Sequence, residues 1–504
     1  MSIRRGELAS MFKKFFAYKP DREVQNKELV LYTAGVVGQN HTYNLITSWF
    51  LYFCTDVLYL NVGLIGVLLS IIRVWDAIND PIVGVIIDKK KPFKSGEKLR
   101  PFLKIMAIPV GIFAMLLFID IGIPDKVLPF YLCGVYFLWD FFYSFQDIAQ
   151  WSMTAMISTN STERGRAVQF ARIGGMIGGW LPGLLTIILG NVGVLGISEK
   201  TVFVIAGVLF GFGGMIMSML TSCAKERAPV VQQQTSLKDS FKLLGSNKIV
   251  MSLVIANAIS HCTLIFPGIY FFKYMVRVNM FGYEIDGLTV SFIYGLLTGL
   301  PGSLAMFFAN WFSRKVGGMK KVLVIATVMN IVTRIIAFFV GFEGWGIVIV
   351  GALMALSSIP NGMTGIASTS LWGDSIDYAE WKTGQRNEGA VFAMQNLIAK
   401  LTTAIDTLFT GITLSIMKYD AEAYNLGIPP EQIFYDLAWP IYMLGPAVGS
   451  ILYLVPLLMM KYDDKQRLQI EADLKIRRAR AKGVFLDKAF EKATADENLN
   501  VSFY

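Results

Sequence analysis

The chain is poor in charge, in cysteine and in histidine. Asp, Glu, Lys and Arg make up 16% of its 504 residues, against about 25% in an ordinary soluble domain. So few charges could not cover a soluble protein of this length, which argues against a soluble enzyme and against a disordered chain. The four cysteines, Cys54, Cys133, Cys223 and Cys262, lie far apart without metal-ligand spacing. They make neither a disulfide scaffold nor a metal site, and read as packing residues. The two histidines, His41 and His261, form no motif. Each reads as a core hydrogen-bonding residue rather than a proton relay. No phosphate-binding loop, metal set or nucleophile–base pair occurs, so the chain is expected to be no enzyme, to use no ATP and to need no cofactor beyond a coupling cation.

Apolar residues, at 54%, are what the chain has in excess, and they come in long blocks. Twelve blocks run from 29–55 to 434–460, each long enough to cross a hydrocarbon core of about 30 Å as a helix. The basic residues lie between them and sort by side. Residues 1–28, 89–100, 223–248, 314–321 and the tail from 461 are rich in Lys and Arg. The opposite loops hold only Lys126, Lys200, Lys273, Arg277 and Lys418. Positive charge marks the cytoplasmic side. The expectation is therefore a multi-pass protein of the plasma (inner) membrane with both termini cytoplasmic. The same distribution accounts for the net charge of +9 without a nucleic-acid partner.

The first stretch, MSIRRGELASMFKKFFAYKP, has no apolar core and does not read as a cleavable signal. Near the other end, DDKQRLQIEADLKIRRARAKG reads as a charged cytoplasmic helix, with contact to lipid headgroups as the sharper alternative. A weak internal repeat joins the two halves. Trp151 followed by GRAVQFARIGG is echoed by Trp372 followed by EGAVFAMQNLI, and Ala167-Val168 lies 223 residues before Ala390-Val391. Six spans repeated in parallel is the pattern of major facilitator transporters, which hold substrate between two halves. The expected organisation is a cytoplasmic segment 1–28, a six-helix half 29–222, a linker 223–247, a second half 248–460 and a cytoplasmic tail 461–504.

Charges within the apolar blocks cost at least about 2.5–3.5 kcal/mol each at mid-membrane, and such groups usually serve function. In SIIRVWDAINDPIVGVIID, Asp76 and Asp80 stand four apart on one helix face, with Asn79 beside them. Two carboxylates and an amide offer hard oxygen ligands for Na⁺, Li⁺ or a proton. A structural salt bridge from Arg73 to either carboxylate is the competing reading. In YFLWDFFYSFQDIAQWSMTA, Asp140, Ser144, Asp147 and Trp151 fall on one stripe. A carboxylate accepts strong hydrogen bonds from sugar hydroxyls, and an indole suits the C–H face of a sugar ring; the competing reading pairs Asp147 with a lysine or arginine and leaves Trp151 to packing.

Arg172 sits among glycines in ARIGGMIGGW, where Gly174-xxx-Gly178 reads as a packing seam. Gln395, Asn396 and Lys400 interrupt the eleventh block, and Lys400 needs an acidic partner. The spacing assigns no role to Asp406, a turn and a half beyond. Asp374, Asp377, Arg386 and Glu388, with Glu380 and Lys382 among them, lie where the tenth and eleventh blocks meet the cytoplasm. They could form gating ion pairs or remain solvated loop charges.

Four segments, YFCTDVLYLNVGLIG, RVWDAINDPIVG, YSFQDIAQWS and SIDYAEWKTGQRNEGAVFAMQNLIAK, resemble the melibiose carrier family, the glycoside–pentoside–hexuronide:cation symporters. The resemblance runs across nearly all twelve blocks. It implies an all-α membrane protein of the major facilitator fold that couples sugar uptake to Na⁺, Li⁺ or H⁺, with a sugar or glycoside, a monovalent cation and the lipid bilayer as partners, and with a single copy as the working unit. It assigns the cation to Asp76 and Asp80, with Asn79 and Ser144 contributing. It assigns substrate contacts to Asp147, Trp151, Arg172, Gln395, Asn396 and Lys400.

One departure bears on substrate. Melibiose carriers have a first-helix aspartate that binds galactosyl hydroxyls, whereas this chain has Asn40 in GVVGQNHTYN. The resemblance therefore points to a hexuronide, a pentoside or a β-linked oligosaccharide rather than melibiose. A lipid or drug carrier on the same scaffold, and a sugar sensor that does not transport, are the competing functions. The first would need an apolar cavity and the second an output domain.

Overall fold

A computed structural model describes residues 16–481, apart from 21, 95, 125, 159, 228–246, 281–282, 385–387 and 427. Each of the twelve apolar blocks falls on a helix or on consecutive helices. A backbone removed from water must satisfy its own N–H and C=O groups, and an α-helix does so within one segment. Among the described residues, eight helical segments are long and apolar enough to cross a membrane: Val62–Ile87, Glu163–Gly190, Glu199–Cys223, Gly287–Val316, Met319–Val340, Gly346–Thr383, Met394–Ile416 and Gln432–Met459.

The other four blocks differ for visible reasons. Asn26–Tyr52 and Leu128–Met156 are long helices interrupted by polar residues such as Gln39, Asn40 and His41, or Asp140, Asp147 and Gln150. The third block breaks into Arg100–Ile105 and Ala107–Leu116, and the seventh into Lys248–Ser260 and Gly268–Met275. The fold is thus all-α in its body. Among the described residues the one sheet is a hairpin, in which Arg277–Met280 pairs antiparallel with Tyr283–Asp286 and Arg277 stands opposite Asp286.

The chain forms two compact units. The first comprises Met1–Gln232, Leu264–Ile293 and Thr403–Trp439. In it, Asn26–Tyr52 packs along Ser161–Trp180. A Cβ on Gly178 would lie 2.5 Å from the Val37 carbonyl oxygen, and one on Gly174 would lie 2.8 Å from that of Thr33. The Gly174-xxx-Gly178 seam therefore lets two backbones meet, as small-residue seams do in membranes. Phe50, Phe53, Phe118 and Phe203 pack together elsewhere in the core of this unit. His41 is buried as expected, but among the described residues its ring nitrogens have no hydrogen-bond partner; the ring packs against Phe210 and over Gly214.

The second unit comprises Gln233–Thr263, Tyr294–Thr402 and Pro440–Tyr504. Its core gathers around Trp372, with Leu253, Val322, Val391 and Leu474. Leu474 belongs to Asp464–Ala481, the charged helix expected from the sequence. That helix is docked on Thr364–Thr383, where the Trp381 indole donates to Asp473 Oδ2 at 2.8 Å.

Candidate functional site

The first helix and the helix Leu128–Met156 bring together polar side chains that would be costly to bury alone. Asp147 is the centre of one group. Its Oδ1 accepts from Gln39 Nε2 at 2.7 Å, from the Trp151 indole at 3.1 Å and from the Tyr143 hydroxyl at 3.5 Å. Trp151 follows Asp147 by four residues, so helical spacing alone sets that contact. Gln39 arrives from another helix and is itself held, because Gln150 donates to its Oε1. Tyr32 closes the chain of bonds by donating to the Gln150 carbonyl at 2.7 Å.

Arg172 is exposed, with its guanidinium 5.9 Å from the centre of the Trp151 ring. Asn40 is half-buried and donates to the Val36 carbonyl at 2.9 Å, with its side chain over Gly175. Of the expected substrate residues, Trp151, 37% exposed, thus touches Asp147 and lies near Arg172, and Asn40 lies beside Gly175 on the Arg172 helix.

A second group lies one turn away on the same helix. Asn79 is fully buried; its Nδ2 donates to Ser144 Oγ at 2.9 Å and reaches the Asp140 carbonyl at 3.3 Å and its Oδ2 at 3.4 Å. Among the described residues the Asn79 Oδ1 has no hydrogen-bond partner. A buried acceptor left unpaired costs about 1–3 kcal/mol, and a bound cation would satisfy it. Asp76 and Asp80 are half-buried on the same helix as Asn79. Arg73, on the same helix, is 9% exposed, and its guanidinium lies 5.6 Å from the centre of the Tyr136 ring.

Gln395, Asn396 and Lys400 belong to the second unit, on the helix Glu388–Ile416; Asn396 is exposed, the other two half-buried. At the end of Thr364–Thr383, Asp374 accepts from Tyr462, and Asp377 accepts from Arg478 at 3.0 Å. Arg478 also donates to Glu380 at 2.5 Å, and that bond holds its guanidinium above the usual arginine range. Arg386 and the side chain of Glu388 lie outside the described residues.

A third group was not legible in the sequence. Asp56 sits in a π-helical turn, Phe53–Val57, at the end of the first helix, and is 3% exposed. Its carboxylate accepts from Lys273 at 2.9 Å, Tyr274 at 2.5 Å, Tyr419 at 2.6 Å and Thr55 at 2.9 Å. Lys273 also donates to the Tyr52 hydroxyl at 2.6 Å and lies 3.5 Å from Glu199. The available signal was a lone acid in YFCTDVLYL and a lone lysine in an aromatic stretch, IYFFKYM.

A family model described as MFS/sugar transport protein matches residues 31–464. An isoprimeverose transporter of Lactiplantibacillus pentosus is 26% identical over 471 residues, covering 89% of this chain and 91% of that protein. A putative glycoside/cation symporter of Escherichia coli is 28% identical over 382 residues, covering 74% of this chain and 79% of that one. Among solved structures, a D-xylose–proton symporter superposes with a TM-score of 0.57 at 13% identity, covering 87% of this chain and 98% of that one. That likeness is one of fold.

Proposed function

Since the chain belongs to the MFS/sugar transport protein family, we propose that it is a symporter of sugars or glycosides, driven by Na⁺, H⁺ or Li⁺ and working by alternating access. The observation that carries this reading is the adjacency of two polar groups on one helix. Asp147, held by Gln39 and Trp151, is three residues from Ser144, which bonds Asn79. Three residues of helix rise about 4.5 Å. A sugar at the first group and a cation at the second would then share electrostatics, and each would raise the other's affinity by the same factor.

Asp76, Asp80, Asn79 and Ser144 take the cation in this reading. Asn40, Asp147, Trp151 and Arg172 take the substrate, and the family pattern adds Gln395, Asn396 and Lys400. The relatives support the reading in their names, one an isoprimeverose transporter and one a putative glycoside/cation symporter. The organisation that goes with it has six spans in 29–222 and six in 248–460, in the plasma (inner) membrane with cytoplasmic termini. The Asp56–Lys273 cluster then closes the end away from the cytoplasm, and outward opening must break it. Asp374, Asp377, Arg386 and Glu388 would gate the other end.

Uptake of labelled sugars by proteoliposomes holding the purified protein tests the reading. Accumulation of a sugar or glycoside that rises with an inward Na⁺ or H⁺ gradient is expected. Uptake indifferent to every cation gradient would reject symport, and no sugar uptake at all would reject the substrate class.

A further inference from the structure

Two stretches of the second unit, 314–321 and 460–467, hold seven basic side chains against two acids, Asp463 and Asp464. The first joins the helix Ala309–Val316 to Met319–Val340, and the second follows the helix Gln432–Met459. They meet in space. Lys320 donates to the Met460 carbonyl, and a Cβ on Gly318 would lie 3.1 Å from the Asp464 side chain. The segments Gly287–Val316, Met319–Val340 and Gln432–Met459 therefore each have one end at a single basic patch.

The two acids are used locally. Asp464 accepts from Arg467 Nε at 2.8 Å, and Asp463 accepts from the Gln466 amide at 2.8 Å at the start of the helix Asp464–Ala481. Arg467 also faces Asp374. Arg314, Lys315, Lys321, Lys461 and Lys465 remain, and all five are exposed. The patch thus keeps a strong net positive charge.

These charges are held in place. Lys461 and Lys465 flank the start of a helix that Ile470 and Leu474 bury in the core and that Arg478 ties to Glu380. Charges fixed in this way bind a phosphate at less entropic cost than charges on a mobile tail.

Apolar surface adjoins them. Phe307, Phe308 and Trp311 are 66%, 59% and 50% exposed in the segment that leads to Lys315, and Met459 is 75% exposed just before Lys461. Lys315 Nζ lies 4.4 Å from the centre of the Trp311 ring. A tryptophan with an ammonium beyond it, at the end of an apolar segment, marks the depth of lipid headgroups. A partner that fits is anionic at its head and apolar below, which is the chemistry of an anionic phospholipid. A soluble acidic protein or a free anion would leave the aromatic surface unused.

We propose that this patch binds an anionic phospholipid, with lysines of both stretches on the phosphate and Trp311 along the acyl chains. The assignment is independent of what the chain transports.

Native mass spectrometry of the full chain, titrated with phosphatidylglycerol or with phosphatidylcholine, tests it. Wild type should prefer phosphatidylglycerol by roughly tenfold or more, since each lysine near an anionic headgroup contributes about fivefold. Lys315→Gln, Lys461→Gln and Lys465→Gln combined should remove the preference. Lys315→Arg, Lys461→Arg and Lys465→Arg combined should keep it, and Trp311→Ala should weaken both lipids severalfold. The control is Lys89→Gln, Lys91→Gln and Lys94→Gln combined, which removes three exposed charges from another basic loop. A preference lost equally in the control would mean general attraction to basic loops and would overturn the site. So would wild-type preference in the glutamine variant. Displacement of the lipid by inorganic phosphate, or unchanged lipid affinity in Trp311→Ala, would show a site for a free anion or a soluble partner instead, and overturn the lipid assignment.

Discussion

Asp56 and Lys273, 217 residues apart in sequence, meet at 2.9 Å with the aspartate side chain fully buried. Three hydroxyls complete the carboxylate's shell, from Thr55, Tyr274 and Tyr419. Taking one partner from a buried pair leaves a charge uncompensated and costs about 3–5 kcal/mol, whereas removing both can be neutral. Asp56→Asn and Lys273→Met should each lower thermal stability in detergent and reduce uptake more than tenfold. The double variant should recover much of both losses. A double variant whose losses are the sum of the singles would mean that the two residues act independently.

Gln39 donates to Asp147 at 2.7 Å and is itself fixed by Gln150. Hydrogen bonds to a charged group contribute about 1.5–3 kcal/mol, so Gln39→Leu should weaken sugar binding by roughly tenfold or more. Gln39→Glu should be worse, because it sets a second carboxylate beside the first. Calorimetric sugar affinities check this, and wild-type affinity in Gln39→Leu would remove Gln39 from the site.

The unpaired Asn79 Oδ1 gives the cation prediction its sharpest form. Asn79→Ala removes that oxygen and the bond to Ser144, while Asp76→Asn and Asp80→Asn each remove a negative charge. All three should abolish stimulation of uptake by a Na⁺ or H⁺ gradient and leave part of the sugar binding intact. Full stimulation in both aspartate variants would place the cation elsewhere.

Asn40 donates to the Val36 carbonyl, a bond that an aspartate cannot make. Asn40→Asp also makes the surroundings of Arg172 and Trp151 more negative by one charge. It should shift the ranking of competing sugars away from uronic acids and toward galactosides, by a few-fold in affinity. A competition panel on both proteins measures the ranking, and an identical order in the two would show that position 40 does not select substrate.

The sequence by itself determined the membrane class and the helices. Long apolar blocks leave a backbone no other way to satisfy its hydrogen bonds. It also determined contacts made within one helix, such as Trp151 on Asp147, because spacing of four residues brings those side chains together. It placed Asn79 and Ser144 in one region through resemblance, and their 2.9 Å bond agrees. Tertiary packing alone decided the rest. Arg73 shares a helix face with Asp76, yet its guanidinium lies over Tyr136 from another helix. Gln39 became a partner of Asp147, and Lys273 of Asp56, across 108 and 217 residues of chain. Periodicity shows which way a side chain faces along its own helix. It carries no information on which helix stands opposite, and the partners of buried charges are chosen there.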